Sequence, residues 1–182
     1  VNALRAFLRQ DPNIIMVGEV RDSETAEVAT HSALTGHLVL STLHTNDAPT
    51  AVPRLVELGV PHYLVADSLI AVIAQRLVRK ICVNCIVSED IENYERNLQP
   101  IIYHGKGCPI CNNSGFLGRT GIFEILIITD ELKELISSKN LSLDFIRNIA
   151  RKYKYKTMFE DALSKISIGI TTLEEALRVI RE

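Results

Sequence analysis

Four cysteines stand in two pairs along the chain, Cys82 and Cys85 in CVNC and Cys108 and Cys111 in CPIC. Two thiols separated by two residues can turn toward one point, and two such knuckles can hold a tetrahedral Zn²⁺ with sulfurs at about 2.3 Å. Four thiolates leave no coordination position open, so such an ion would be structural. Two disulfides, buried free thiols and a pair of thiol–disulfide centres are the alternatives. No secretory signal opens the chain, and a reducing compartment disfavours disulfides. Neither pair opens a helix after a strand in a thioredoxin-like unit, which weighs against redox chemistry.

A second chemistry is suggested by NIIMVGEVRD, residues 13–22, where four apolar residues run straight into Gly18, Glu19, Arg21 and Asp22. A carboxylate at the tip of a buried strand can hold Mg²⁺ through water or polarise an attacking water, as a Walker B acid does. The plain alternative is a charged surface turn. Downstream, GHLVLSTLHTND puts His44 and several hydroxyls at the end of a second apolar run, where they could read a phosphate. His37 lies at the incoming end of that run and is expected to be a hydrogen-bonded structural histidine. In QRLVRKIC, Arg76 and Arg79 have the planar donors that match two phosphate oxygens at once, although two surface cations would look the same. The basic stretch RNIARKYKYK is expected to be a solvated helix face rather than a lipid contact.

These residues need elements to hold them. ALRAFLRQ, residues 3–10, has a helical apolar stripe that Asp11-Pro12 stops. Ile14 to Val17 is expected to be a fully buried strand. Asp22 or Ser23 can cap a helix that runs to Gly36, and HLVLSTL, residues 37–43, is a second buried strand. A helix over residues 50–58 closes at Gly59 and Pro61, with Pro53 in its first turn. Residues 62–81 begin helically and are ambiguous thereafter. GFLGRTGIFEILIIT reads as a turn and a strand. Helices then follow Asp130, Ser142 and Thr172; Thr172 and Glu175 have the spacing of a capping box, and Gly169 can stop the helix before them. Alternating strands and helices argue for a parallel sheet with helices on its faces, whose reacting groups gather at the carboxyl edge.

The chain has 182 residues, 47% of them hydrophobic, with a formal net charge of −2. That is ample for a core, and the charge gives no reason to expect a polyanion partner, so a nucleic-acid-binding zinc ribbon is disfavoured. No apolar run approaches the ~20 residues that cross a bilayer. The first residue is not Met, and the chain is expected to be a piece of something longer.

The blocks LRQDP, VGEVRDSETA, LTGHLVLSTLHTNDA, AQRLVRKIC, CVNC with CPIC, GFLGRTGIFEIL and GITTLEEALRV, in that order, resemble the secretion ATPases. More narrowly they resemble the type II secretion and type IV pilus assembly ATPases, over nearly the whole chain. The resemblance implies an α/β fold: a partial RecA-like P-loop NTPase sheet with helices on its faces, a tetracysteine zinc-binding insertion and a C-terminal helical region. The implied domains are residues 1–81 for the core half, 82–111 for the metal element and 112–182 for a strand and helical subdomain. Glu19 then resembles the Walker B glutamate and His44 the histidine of the His box; Arg21, Arg76 and Arg79 are assigned a nucleotide or inter-subunit role. The cysteines resemble the tetracysteine zinc element, which retraction ATPases of the superfamily generally lack. The full-length protein is expected to use ATP and Mg²⁺ as a homo-hexamer, cytoplasmic and peripheral to the inner membrane. Its expected partners are inner-membrane platform and cytoplasmic adaptor proteins, with no nucleic acid. No G-x-x-x-x-G-K-[S/T] loop occurs in the sequence, so the chain is expected to be the C-terminal part of a motor domain, inactive by itself. A zinc-stapled module for docking a platform protein or a neighbouring subunit is the alternative function.

Overall fold

The computed structural model describes residues 10, 12–90, 101–138 and 141–180; the helix expected over residues 3–10 lies outside them but for its last residue. The chain divides into two compact units, each built from separated segments: residues 1–74 with 125–155, and residues 75–124 with 156–182.

In the first unit, β1 (Ile14–Val17) and β2 (Leu38–Ser41) pair in parallel, with Ile14 opposite Leu38 and Val17 opposite Ser41. The parallel crossover is made by α1 (Ser23–Leu34), short enough to return the chain directly to the neighbouring strand. Asp22 caps it, its carboxylate accepting from Thr25 N at 2.8 Å, and Gly36 leaves it at φ +98°, where a side chain would be strained. Helices α2 (Ala51–Glu57) and α3 (His62–Ser68) follow. Pro53 stands in the first turn of α2, where its missing N–H has no carbonyl to reach. Residues 62–81 resolve into α3 and then strand β3 (Ala71–Ile81).

The expectations that Ile14 to Val17 and residues 37–43 are fully buried strands are both corrected. Ile15 is buried, but Ile14 and Met16 are 61% and 78% exposed, and Leu38 and Leu40 opposite them are also exposed. Among the described residues, cover is supplied to one face of this two-stranded sheet only. Strand period then puts every second apolar residue in solvent.

Strand β3 pairs with β6 (Phe116–Ile127). Hydrogen bonds from Ile128 N to Ile70 O and from Cys82 N to Gly115 O make the pair antiparallel. Strand β6 then leads into α4 (Asp130–Ser137) and α5 (Leu143–Lys152). The cap of α4 is Thr129, one residue before the expected Asp130; its hydroxyl accepts from Leu132 N, leaving Asp130 in the first turn to favour the helix dipole. The core of this unit joins Val20, Ala26, Val52, Val65, Leu126, Leu132, Ile136 and Ile146.

The second unit holds the rest of β3 and β6, the antiparallel hairpin of β4 (Ile86–Asp90) and β5 (Ile101–Gly105), and helices α6 (Met158–Ile166) and α7 (Leu173–Ile180). A reciprocal capping box forms at Thr157 and Glu160. At Thr172 only half of the expected box forms: Glu175 N donates to Thr172 Oγ1 at 3.2 Å, while the Glu175 carboxylate binds Arg79 and Arg178. A buried anion gains more from two guanidiniums than from one backbone N–H.

Candidate functional site

Glu19 lies two residues past β1, and His44 three past β2. Because the strands are parallel, both outgoing ends reach one edge of the sheet. Pairing continues beyond the strands, with Val20 N donating to Thr42 O at 3.0 Å. The Thr42 hydroxyl donates to Gly18 O at 2.7 Å. The Glu19 carboxylate has its Oε2 at 2.5 Å from Arg21 Nε and its Oε1 at 2.6 Å from His44 Nε2. Oε1 is buried, and the close approach of His44 is its polar contact here. The Glu19 side chain is 21% exposed against 83% for His44. The acid is thus half sunk at the sheet edge with an imidazole and a guanidinium laid over it.

The loop carrying His44 is anchored at its far end as well. Asp47 Oδ1 accepts from Thr50 N at 2.9 Å, and its Oδ2 accepts from Arg147 Nη2 of α5 at 2.7 Å. Burial opposes ionisation of Asp47, but its bonds to Thr50 and Arg147 outweigh this and its pKa is lowered. Sequence spacing could not reveal this pair, whose partners are a hundred residues apart.

Glu19, Arg21 and His44 are therefore brought together. Arg76 and Arg79 belong to the second unit and lie an odd number of positions apart on β3, which sends their side chains to opposite faces. Arg79 is committed elsewhere. Its Nη2 and backbone N donate to the two oxygens of Glu175 at 2.8 and 3.0 Å, and its guanidinium lies 4.2 Å from the centre of the Phe116 ring. Arg178 completes the triad through Nε and Nη2. Arg178 first, then Arg79 against the cost of burial, hold the Glu175 carboxyl far below its usual range. Sequence reading treated Glu175 only as a capping residue, since nothing local marks a glutamate that becomes buried.

The cysteines converge. Cys85 N bonds Cys82 O, and Cys111 N bonds Cys108 O across the turn Pro109–Cys111. Asn112 and Asn113 follow in left-handed conformations, φ 51° and 59°, and Asn113 N closes back on Cys108 O. Gly105 and Gly115 let the two arms touch: a Cβ on Gly105 would stand 2.1 Å from the Gly115 carbonyl oxygen. All four sulfurs lie within 4.8 Å of one another, with Cys82–Cys108 and Cys85–Cys111 at 3.9 Å and Cys108–Cys111 at 3.7 Å. The edge of a tetrahedron with sulfurs at 2.3 Å from its centre is about 3.8 Å. A disulfide needs about 2.0 Å, so the cysteines are free thiols placed for a metal. Burial resists ionisation of Cys111, but N–H groups of Cys108 and Gly115, with the neighbouring thiols, bring its pKa down to about 6. Burial, with the sulfurs around it, pushes Cys85 up to about 12. Cys111 thus ionises readily and Cys85 resists; a divalent cation bound here would remove that resistance.

Compared with known families, residues 1–178 match the Type II/IV secretion system protein family. The chain belongs to that family. Among members of the type II/IV secretion family, it is 50% identical over 180 residues to the type II secretion system protein HxcR of Pseudomonas aeruginosa, covering 99% of this chain and 36% of that protein. It is 50% identical to the type IV pilus assembly ATPase PilB of Thermus thermophilus, covering 96% of this chain and 21% of that protein. The type II secretion system ATPase E of Vibrio cholerae is 46% identical, with 98% and 37% covered. The chain therefore spans between about a fifth and two fifths of these curated relatives. Among solved structures, the pilus retraction motor PilT with bound ADP superposes with a TM-score of 0.69 at 30% identity, covering 97% of this chain and 42% of that one. The Legionella pneumophila ATPase DotB gives 0.65 at 26% identity, with 95% and 40% covered. The α/β fold is thus the one these secretion-family ATPases share.

Proposed function

We propose that these residues form part of an ATP-hydrolysing motor for type II secretion or type IV pilus assembly. The observation that carries the reading is the meeting of Glu19 and His44, 2.6 Å apart, at the carboxyl edge of two parallel strands. Glu19 accepts the proton of the water that attacks the terminal phosphoryl group. His44 and Arg21, both largely exposed, flank the acid and supply donors to the phosphate oxygens. Mg²⁺ bound with the nucleotide would spread the charge that develops on those oxygens. Arg76 takes a nucleotide or inter-subunit role; Arg79 can share it only by leaving Glu175. Cys82, Cys85, Cys108 and Cys111 hold a structural Zn²⁺ that ties β4 and β5 to the ends of β3 and β6.

We place the motor in a cytoplasmic homo-hexamer at the inner membrane, working with platform and adaptor proteins. The catalytic acid and His box belong to residues 1–81, the metal element to 82–111 and the remaining strand and helices to 112–182. Residues 1–182 alone are expected to show no turnover. In the full-length protein, Glu19→Gln should cut ATP turnover by at least about a hundredfold while ATP binding persists. Wild-type turnover in that variant would reject the reading.

A second reading is favoured by the exposure of Val83 and Ile110, the apolar residues within the two knuckles. On it the metal element docks a platform protein. Pull-down of the platform by a Val83→Ser, Ile110→Ser variant with unchanged ATPase would then be weaker; equal capture would dismiss it.

A further inference from the structure

Thr42 is exposed and makes no claim on the core, yet it touches the backbone on both sides of Glu19. Its carbonyl accepts the Val20 N–H at 3.0 Å and its hydroxyl donates to Gly18 O at 2.7 Å. The first bond is made by main chain and survives any substitution. The second depends on the side chain, and it holds the peptide that joins Gly18 to Glu19. That peptide has room to turn: Gly18 has no side chain, and a Cβ there would meet nothing within 4 Å. Rotation of this peptide would swing the Glu19 carboxylate away from His44. The single proton of the Thr42 hydroxyl is given to Gly18 O.

We infer that Thr42 is a positioning residue for hydrolysis, acting through Glu19 by clamping the Gly18–Glu19 peptide; this rests on the assignment of Glu19 as the acid. Residues 42–44 then form one device, in which the clamp on the acid and the histidine laid over it sit on the same three-residue segment. The device explains why a side chain with both a hydroxyl and a branched Cβ suits this position: the hydroxyl binds the neighbouring strand's exit, and the branching favours extended backbone.

The test uses the full-length protein and steady-state ATP hydrolysis. Thr42→Val keeps the shape and removes the donor; Thr42→Ser keeps the donor. The expected result is a fall in kcat of about tenfold for Thr42→Val, with KM for ATP and Tm unchanged, and near-normal kcat for Thr42→Ser. In a Glu19→Asp background, whose shorter side chain has already displaced the carboxylate, Thr42→Val should cost much less than tenfold. An equal loss in both backgrounds would overturn the inference, because Thr42 would then act independently of Glu19. Wild-type kcat in Thr42→Val would overturn it too, while leaving Glu19 as the acid. Full activity in both Glu19→Asp and Glu19→Gln would instead remove the reading on which it stands. Thr42→Ala provides a second donor-free variant should the valine perturb folding.

Discussion

Replacing Glu175 with Ala removes a carboxylate that is 1% exposed and receives four donors: Arg79 N and Nη2, and Arg178 Nε and Nη2. Breaking a fully buried ion pair from one side costs about 3–5 kcal/mol, because the remaining charge stays desolvated. Here the guanidiniums are 48% and 50% exposed, so water takes them up again and that part of the penalty is screened. What water does not repair is the lost anchoring of α7 to β3 and the backbone N–H of Arg79. The net loss is about 2–3 kcal/mol, or roughly a 5–10 °C fall in Tm for a chain of this size. The pH dependence gives a second handle. The folded pKa of Glu175 is depressed, so its contribution is complete above the unfolded value near 4.3 and is lost as pH falls through the folded value. Urea denaturation at pH 7 and pH 3 should therefore show the wild type losing more stability on acidification than Glu175→Gln does. A Tm for Glu175→Ala within about 1 °C of wild type, or parallel acid limbs for wild type and Glu175→Gln, would refute the reasoning.

The cysteine cluster makes a prediction about metal: the purified chain should contain one Zn²⁺ per four thiols, and Cys82→Ser or a strong chelator should release it and expose β4 and β5 to proteolysis. Metal analysis with thiol counting checks this, and four reactive thiols without zinc would count against it. Gly105→Ala would drive a methyl into the Gly115 carbonyl, 2.1 Å away, so the arms should part and zinc affinity should fall by at least about tenfold in a competition titration. Unchanged affinity would mean that the arms separate without disturbing the sulfurs.

Residues near in sequence were the easiest to read. The caps at Asp22 and the stops at Gly36 and Gly59 follow from bonds within a few residues, and the strands at 14–17 and 38–41 from unbroken apolar runs. The shift of the α4 cap to Thr129 is a contest between neighbouring oxygens that spacing alone leaves even. The exposure of Ile14 and Met16 was not legible, because an apolar run records the capacity for burial and not the presence of cover. The candidate site was legible in part: Glu19, His44 and the cysteines announce themselves by type and position. Thr42, Asp47 and Arg147 do not, since their partners lie 24 and 100 residues away.

By itself the order of residues determined the two parallel strands, the acid and imidazole at their exits, and the two thiol knuckles. Each depends on spacing within one element or on the hand of a single crossover. Only the tertiary structure decided which donors reach which oxygens: that Thr42 clamps Gly18, that Glu175 draws Arg79 away from solvent duties, and that four sulfurs close to tetrahedral distances. A hydrogen bond holds only within a few tenths of an ångström, and such a tolerance between distant residues is set by packing the whole chain rather than by any stretch of it.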